Sequence, residues 1–330
     1  MPFSFDAQII ILAIAALLDY WIGDPWNWLH PVQVIGWCIN RYTQFVLQHM
    51  HSPSAQRVMG VILGLLIIGG SGFAGWLIIW IATFIHPLVK MAIASILVAS
   101  CFAGRSLRDA ASDVLSPMQN NDLNAARSKL SLYVGRDTHN LDEPEVLRAV
   151  FETVTENAVD GVMAPLFYAI LGAFTPMGSA PVALAYKAAS TLDSSVGYYR
   201  KPYTHIGWFS ARLEDGLTWL PCRLAVLTIA LLSKKPRHVL ALCQRDAPHD
   251  SSPNAGWSEC AYAAALDVQV GGTNWYKGLA KHKPLLGNAV TSIGEIQIDR
   301  AIWFTRYSFL LWLGLSSIAL SLSHHDLSRF

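Results

Sequence analysis

The 330 residues predict an all-α, polytopic membrane protein with a broken-helix hairpin and polar cytoplasmic loops and helices. Charged residues make up only 14% of the chain, against about 25% in ordinary soluble domains. Apolar residues reach 53%, Trp occurs 12 times, and the mean hydropathy is +0.34. Residues 58–85 contain no charge at all, a run long enough to cross a hydrocarbon core of about 30 Å at about 1.5 Å per residue.

The first span is expected at 7–22, around the apolar run Ile9–Leu18 with Asp6 and Asp19 near its ends. No Lys or Arg precedes it and no small-residue cleavage site follows, so it reads as an uncleaved span rather than a secretory signal. The second span is 58–85. The turn at His86-Pro87 then sends the chain back through 88–104. Residues 161–186 are apolar but interrupted by Pro165, Pro176, Gly178 and Pro181, which predicts a hairpin of two short helices bordering protein or a water-filled cavity. Residues 217–233 carry Pro221 and Arg223 and are expected to span or, in the favoured reading, to be re-entrant or interfacial. The last span, 303–323, opens with Trp303, Arg306 and Tyr307, an aromatic and basic flank suited to the interface.

Lys and Arg concentrate in 105–148, 187–212 and 234–300, and the positive-inside tendency assigns all three to the cytoplasm. The polar segments 105–160, 187–216 and 245–300 therefore carry the chemistry, within one helical domain covering 1–330. A net charge of +1 with dispersed basic groups gives no nucleic-acid surface. The five cysteines lack any CxxC pair and read as small apolar residues in a reducing compartment. Strand signals are scarce, and no GxxxxGK[ST] phosphate loop is present.

Glu152, Glu156 and Asp160 recur every four residues on one helix face. Like charges at that spacing repel, more so away from water, so the stripe requires countercharge. Arg148 is one turn from Glu152, and the remaining carboxylates suit a hard cation such as Mg2+, backed by the Asn157 amide. A plain solvated face is the competing reading. Asp142 caps this helix with Glu145 in a capping box, Pro144 sits in its first turn, and Gly161 fits a left-handed end.

A second polar helix from Pro181 carries Lys187, Ser190, Thr191 and Ser194 with Asp193 beside them. Lys187 is either a snorkelling anchor or part of an ammonium–phosphate–metal arrangement with Asp193. Around His249-Asp250-Ser251-Ser252-Pro253-Asn254, Ser252 and Pro253 suit the start of a helix whose N–H groups, with Ser251 and Asn254, would take a phosphate. Capping alone would leave His249, Asp250 and the interior Glu259 unexplained. Gly271-Gly272 is expected to end that element. Arg105, and Arg136 with Asp137, each adjoin a glycine and suit a carboxylate or phosphate.

Taken together, Gly23-Asp24-Pro25, His30-Pro31, Gly36, Gly135-Arg136-Asp137-Thr138, Glu152 to Gly161, Ala164-Pro165-Leu166, Tyr186-Lys187, Thr191 to Ser194, Val196-Gly197-Tyr198 and His249 to Asn254 with Glu259 closely resemble the adenosylcobinamide-phosphate synthase family, CbiB/CobD, over nearly the whole chain. Ser190, Thr218 and Cys222 depart from the residues usual in that family.

The resemblance implies ATP-dependent amide formation in cobalamin biosynthesis. The propionate of adenosylcobyric acid, a corrinoid substrate, would join (R)-1-amino-2-propanol or its O-phosphate through an acyl phosphate. It further implies Mg2+ on Glu152, Glu156, Asp160 and Asp193. Lys187, Arg105 and Arg136 would bind phosphates or the substrate carboxylate, and Ser251 to Asn254 a further phosphate. His249 or Glu259 would take the proton of the attacking ammonium. The implied location is the bacterial inner membrane, in contact with lipid and with self-association or later corrinoid-pathway membrane enzymes as partners. A non-catalytic AmpE-like sensor would not require the metal and phosphate clusters. A transporter would place its ionisable groups deep in the spans rather than at their ends.

Overall fold

The computed structural model describes residues 3–23, 30–198 and 200–327, with side chains given up to 323. Asp24 and Pro25 of the first motif lie outside the described residues. The elements are α1 (Phe5–Trp21), α2 (Pro31–His49), α3 (Pro53–Ala82), α4 (Pro87–Ala99), α5 (Gly104–Gln119), α6 (Leu123–Leu130), α7 (Glu143–Asn157), a π-turn (Ala158–Met163), α8 (Ala164–Ala173), α9 (Ser179–Val196), α10 (Trp208–Leu232), α11 (Pro236–Asp246), a 3-10 turn (Ala247–His249), α12 (Ala255–Ala265), β1 (Gln269–Tyr276), β2 (Leu279–Gly287) and α13 (Glu295–Leu327). The protein is a helical membrane protein. Among the described residues α3 and α10 are long and apolar enough to cross a membrane, and the bent pair α4 and α5 makes a third if it is one span.

The chain, read from sequence as one domain, gathers into two compact units. One holds Met1–Ala103, Ala164–Leu217 and Leu311–Phe330; the other holds Gly104–Met163 and Thr218–Leu310. In the first unit α3 lies close against α9 because small residues line the contact. A Cβ on Gly75 would sit 2.5 Å from Leu184 Cδ1, and one on Gly72 would sit 3.2 Å from the Pro181 carbonyl oxygen. Ile35, Ile39, Leu63, Ala188, Leu192 and Val196 form a buried cluster beside this contact. The hairpin forms as α8 and α9, but α9 runs on to Val196 and so carries Lys187 and Asp193 on its last turns.

Helix α2 has no counterpart among the expected spans. His30 starts it, with Nδ1 accepting the Val32 N–H at 3.3 Å, and Pro31 fills its first position. The segment expected at 217–233 belongs to one 25-residue helix, α10, which continues through Pro221; an uninterrupted helix of that length favours a crossing over a re-entrant loop.

In the second unit, α7 starts as its sequence prescribes, with both halves of the Asp142/Glu145 capping box present. Val146, Ala149, Val150, Phe151 and Val154 are buried. The expected left-handed stop at Gly161 does not occur. The helix instead widens into the π-turn and runs on into α8, because Ala164, Pro165 and Leu166 are buried in a continuing apolar helix that offers no reason to stop. Helix α12 is buried from Ser258 to Ala264, as an all-round apolar helix should be, and Ser258 Oγ donates to the Thr155 carbonyl at 2.5 Å.

Gly271-Gly272 also proves different. The pair lies inside an antiparallel β1–β2 hairpin, at an irregularity in register between Val270 and Gly272. Both glycines have positive φ, +94° and +93°, and a Cβ on Gly271 would strike the Pro284 carbonyl. Lys277 and Gly278, at φ 52° and 76°, close the hairpin in the doubly left-handed form that a two-residue loop requires.

Candidate functional site

The second unit contains a buried charge network assembled from α7, α12, both strands and the loop before α7. Glu152 is fully buried, and both of its carboxylate oxygens meet cations. Oε1 accepts from Arg148 Nη1 at 2.9 Å and from the Gly271 N–H at 2.9 Å, while Oε2 pairs with Arg136 Nη2 at 2.5 Å. Burial works to raise this carboxyl's pKa, but Arg136, Arg148 and the Gly271 N–H outweigh it and hold it below the usual carboxylate value. Arg148 also donates to the carbonyls of Gly271 at 2.7 Å and Thr273 at 3.4 Å. Both arginines donate to Asn274 Oδ1, Arg136 at 2.9 Å and Arg148 at 3.2 Å.

Glu259 is the second fully buried carboxylate, and Lys283 Nζ donates to its Oε1 at 2.7 Å. Burial pushes its carboxyl above the ordinary range; Lys283 pulls it down, while Glu156 and Glu152 add to the rise. For Lys283, burial disfavours the charge, but Glu259, Glu156 and Glu152 keep the ammonium more firmly protonated than usual. Glu156 is exposed on the next turn of α7 from Glu152 and interacts with both Glu259 and Lys283. Three carboxylates thus face three cations. Replacing Glu152 or Glu259 by a neutral residue leaves an uncompensated charge in the core, whereas Glu156 lies at the surface.

The remaining expected residues are placed as follows. Asp160 lies half-buried in the π-turn, and Asn157 is exposed, its Nδ2 donating to the Thr153 carbonyl at 2.8 Å. The π-turn interrupts the four-residue stripe between Glu156 and Asp160, a distortion frequent at functional sites. Arg105 pairs with Asp109 at 3.2 Å on the surface. Asp137 accepts the N–H groups of Gly278 at 2.8 Å and Lys277 at 3.0 Å, which lower its pKa and tie the loop to the hairpin end. A cleft of about 280 Å3 beside it is lined by Asp137, His139, Asn140, Glu145 and Trp275.

In the His249 to Asn254 loop, His249 Nδ1 lies 3.2 Å from the Asp246 carbonyl, and Asp250 Oδ1 accepts the Ser252 N–H at 2.8 Å. Ser252 Oγ accepts the N–H groups of Asn254 and Ala255 at 3.3 and 3.1 Å, so α12 begins at Ala255, two residues later than Pro253, and part of the expected anion-binding backbone is capped internally. Arg223 stacks over Trp257 at 4.3 Å and donates to the Pro253 carbonyl at 2.9 Å, bracing this loop. Gly256 is required there, since a Cβ would lie 2.5 Å from that of Asp250. Ser251 is exposed at the loop's edge and Asn254 is buried.

Lys187 and Asp193 belong to the first unit, where both are half-buried. The hydroxyls near them bond back to their own helix: Thr191 to the Lys187 carbonyl at 2.7 Å, Ser194 and Ser195 to that of Thr191 at 3.0 and 2.7 Å.

Among the described residues no group of three or more His, Cys, Asp or Glu side chains is arranged to hold a metal ion. A full carboxylate cage on Glu152, Glu156, Asp160 and Asp193 does not fit, because Glu152 is already neutralised by two arginines. Mg2+ asks for less: it keeps several waters and takes one or two carboxylates plus substrate phosphates. The carboxylates left over for so small a demand are Glu156, exposed in the last turn of α7, and Asp160, half-buried in the π-turn.

Sequence reasoning missed Lys283, Asn274 and the Gly271 N–H, all on the hairpin. The run Thr273-Asn274-Trp275-Tyr276, rich in β-branched and aromatic residues, and the Lys277-Gly278 pair after it were the available signal.

A family model described as CobD/CbiB protein matches residues 12–305. A relative from Synechocystis, named cobalamin biosynthesis protein CobD, is 53% identical over 313 residues, covering 94% of this chain and 92% of its own. One from Salmonella arizonae, named cobalamin biosynthesis protein CbiB, is 41% identical over 318 residues, covering 95% and 96%. A third from Photorhabdus laumondii, again named CobD, is 40% identical over 88% of this chain and 90% of its own. No solved structure matches. With the family model spanning most of its length and relatives above 40% identity covering nearly all of it, the chain belongs to the CobD/CbiB protein family.

Proposed function

We propose that this protein acts in cobalamin biosynthesis as an ATP-dependent amide synthase of the inner membrane, with its polar segments facing the cytoplasm. It would join the propionate carboxylate of adenosylcobyric acid to (R)-1-amino-2-propanol or its O-phosphate. The observation that supports the reading best is the three-carboxylate, three-cation network of the second unit, in a chain whose relatives carry names from that pathway.

Amide formation from a carboxylate requires activation. Attack of a carboxylate oxygen on the γ-phosphorus of ATP gives an acyl phosphate and ADP; attack of the neutral amine on the acyl carbon then expels phosphate. Every oxyanion in this sequence is stabilised by cationic donors fixed beforehand. Arg136 and Arg148 fix the framework: their guanidinium groups orient Glu152 and Asn274 rather than reach outward. Bound Mg2+, held by Glu156 and Asp160, would supply neutralisation of phosphate charge.

His249 is placed on a braced loop and Glu259 is in the core, so of the two His249 is the better placed to receive the ammonium proton from solvent-borne substrate. Lys187 and Asp193, on α9, and Arg105, on α5, are proposed as further substrate contacts, as are Ser251, Asn254 and Asp137. Lipid is the surrounding partner, together with self-association or later corrinoid-pathway membrane enzymes.

The test is product formation by the purified protein in lipid. Adenosylcobyric acid, either amine and ATP should yield the amide with one ADP per product. ATP-independent turnover, or none with either amine, would remove the reading.

A further inference from the structure

Each cation of the buried network has a different number of commitments. Arg148 donates to Glu152, to two backbone carbonyls and to Asn274. Arg136 divides itself between Glu152 and Asn274 with its side chain only 8% exposed. Lys283 differs on both counts. Its side chain is 20% exposed, the most open of the three, and among the described residues it makes a single hydrogen bond, to Glu259 Oε1 at 2.7 Å. An ammonium has three donors, so two remain for a ligand.

The partner of Lys283 is equally one-sided. Glu259 is fully buried, and its Oε2 has no hydrogen-bond partner among the described residues. A pair serving only to fill the core would be matched at both ends. Here Glu259 Oε2 is left without a donor while the ammonium, fixed by one contact, keeps two donors to spare in a partly exposed side chain. Strand β2 delivers that head from a short, bulged hairpin whose other strand holds Asn274 and Gly271 against the arginines, so Lys283 is placed by the same rigid element that organises the network.

We propose that Lys283 is a substrate-binding residue whose ammonium meets an oxyanion, with Glu259 as the positioning residue that holds it. The inference rests on the amide-synthase reading, which supplies two oxyanions of the right chemistry: the carboxylate of the corrinoid acid and the phosphates of the nucleotide.

Equilibrium binding of adenosylcobyric acid and of ATP to the purified full-length protein, measured beside amide formation, separates the possibilities. Lys283→Met is expected to raise Kd for one of the two at least ~10-fold, the scale of one charge-assisted contact, and Lys283→Arg to stay within ~3-fold of wild type. The ligand that moves identifies which oxyanion Lys283 meets. Because Lys283→Met strands a buried carboxylate, Lys283→Met combined with Glu259→Gln is the control: binding should remain as weak as in the single variant. Recovery of wild-type binding in the double variant makes Lys283 a structural counter-ion and overturns the proposal, as does an unchanged Kd for both ligands in Lys283→Met. If the wild type forms no amide yet Lys283→Met still loses oxyanion binding, the synthase reading falls and the Lys283 assignment stands.

Discussion

The backbone N–H of Gly271, on a strand, donates to the side-chain carboxylate of Glu152, on a helix, at 2.9 Å across 119 residues of chain. That bond depends on a positive φ at Gly271, which only glycine adopts without strain, and on a carboxylate kept ionised by two arginines. The hairpin and α7 are thereby tied into one unit.

Glu152→Gln keeps the shape of the side chain but leaves Arg136 and Arg148 without their countercharge in the core. Removing one member of a buried ion network costs about 3–5 kcal/mol, and the variant should melt well below wild type when followed by circular dichroism in detergent. A melting point equal to wild type would show that the arginines find other partners.

Gly271→Ala asks a residue with a Cβ to adopt φ +94° and to occupy space held by the Pro284 carbonyl. The left-handed conformation alone costs about 1–3 kcal/mol. Faster amide hydrogen exchange confined to β1, β2 and the turn of α7 around Glu152 is the expected signature, since the strain falls on the hairpin's anchor.

The two buried glutamates act oppositely with pH. Glu152 has a lowered pKa, so its contribution is complete above the ordinary carboxylate value of about 4.3 and is lost as pH falls through its folded value. Glu259 has a raised pKa, so its contribution is complete below about 4.3 and diminishes as pH rises toward its folded value. Thermal unfolding followed across pH should therefore show an acid limb that Glu152→Gln reduces, with Asp137 contributing to the remainder, and a decline above it that Glu259→Gln reduces. Swapped assignments of the two limbs would contradict the electrostatic account.

Glu156→Gln and Asp160→Asn leave the arginine framework intact, because neither residue contributes to the Glu152 cage. Each is expected to lower amide formation by about 100-fold with little change in melting point, and to weaken the dependence of the rate on added Mg2+. Undiminished turnover in both would remove them from the metal site.

The helical class was legible because it follows from composition and run length alone. Residues 58–85 are without charge, and the Asp142/Glu145 box sets the start of α7 by local chemistry. The end of α7 was not legible in the same way: Gly161 is a good local stop, but tertiary burial of the apolar residues after it carried the helix on through a π-turn. Of the candidate site, the Arg148–Glu152 pair one turn apart could be read directly. Arg136 reaches Glu152 from the loop before α7, and Lys283 reaches Glu259 from a hairpin whose polar, glycine-interrupted strands lack clean alternation, so neither pair follows from helix spacing. Ser252 was legible as a capping residue, though its oxygen closes the loop one turn ahead of the helix it was expected to start.

The acyl-phosphate route is tested most directly by isotope transfer. Adenosylcobyric acid carrying 18O in its free carboxylate, turned over with ATP and the amine, should yield inorganic phosphate containing one 18O from that carboxylate, alongside ADP. Phosphate free of 18O, or the label appearing in AMP instead, would contradict the account.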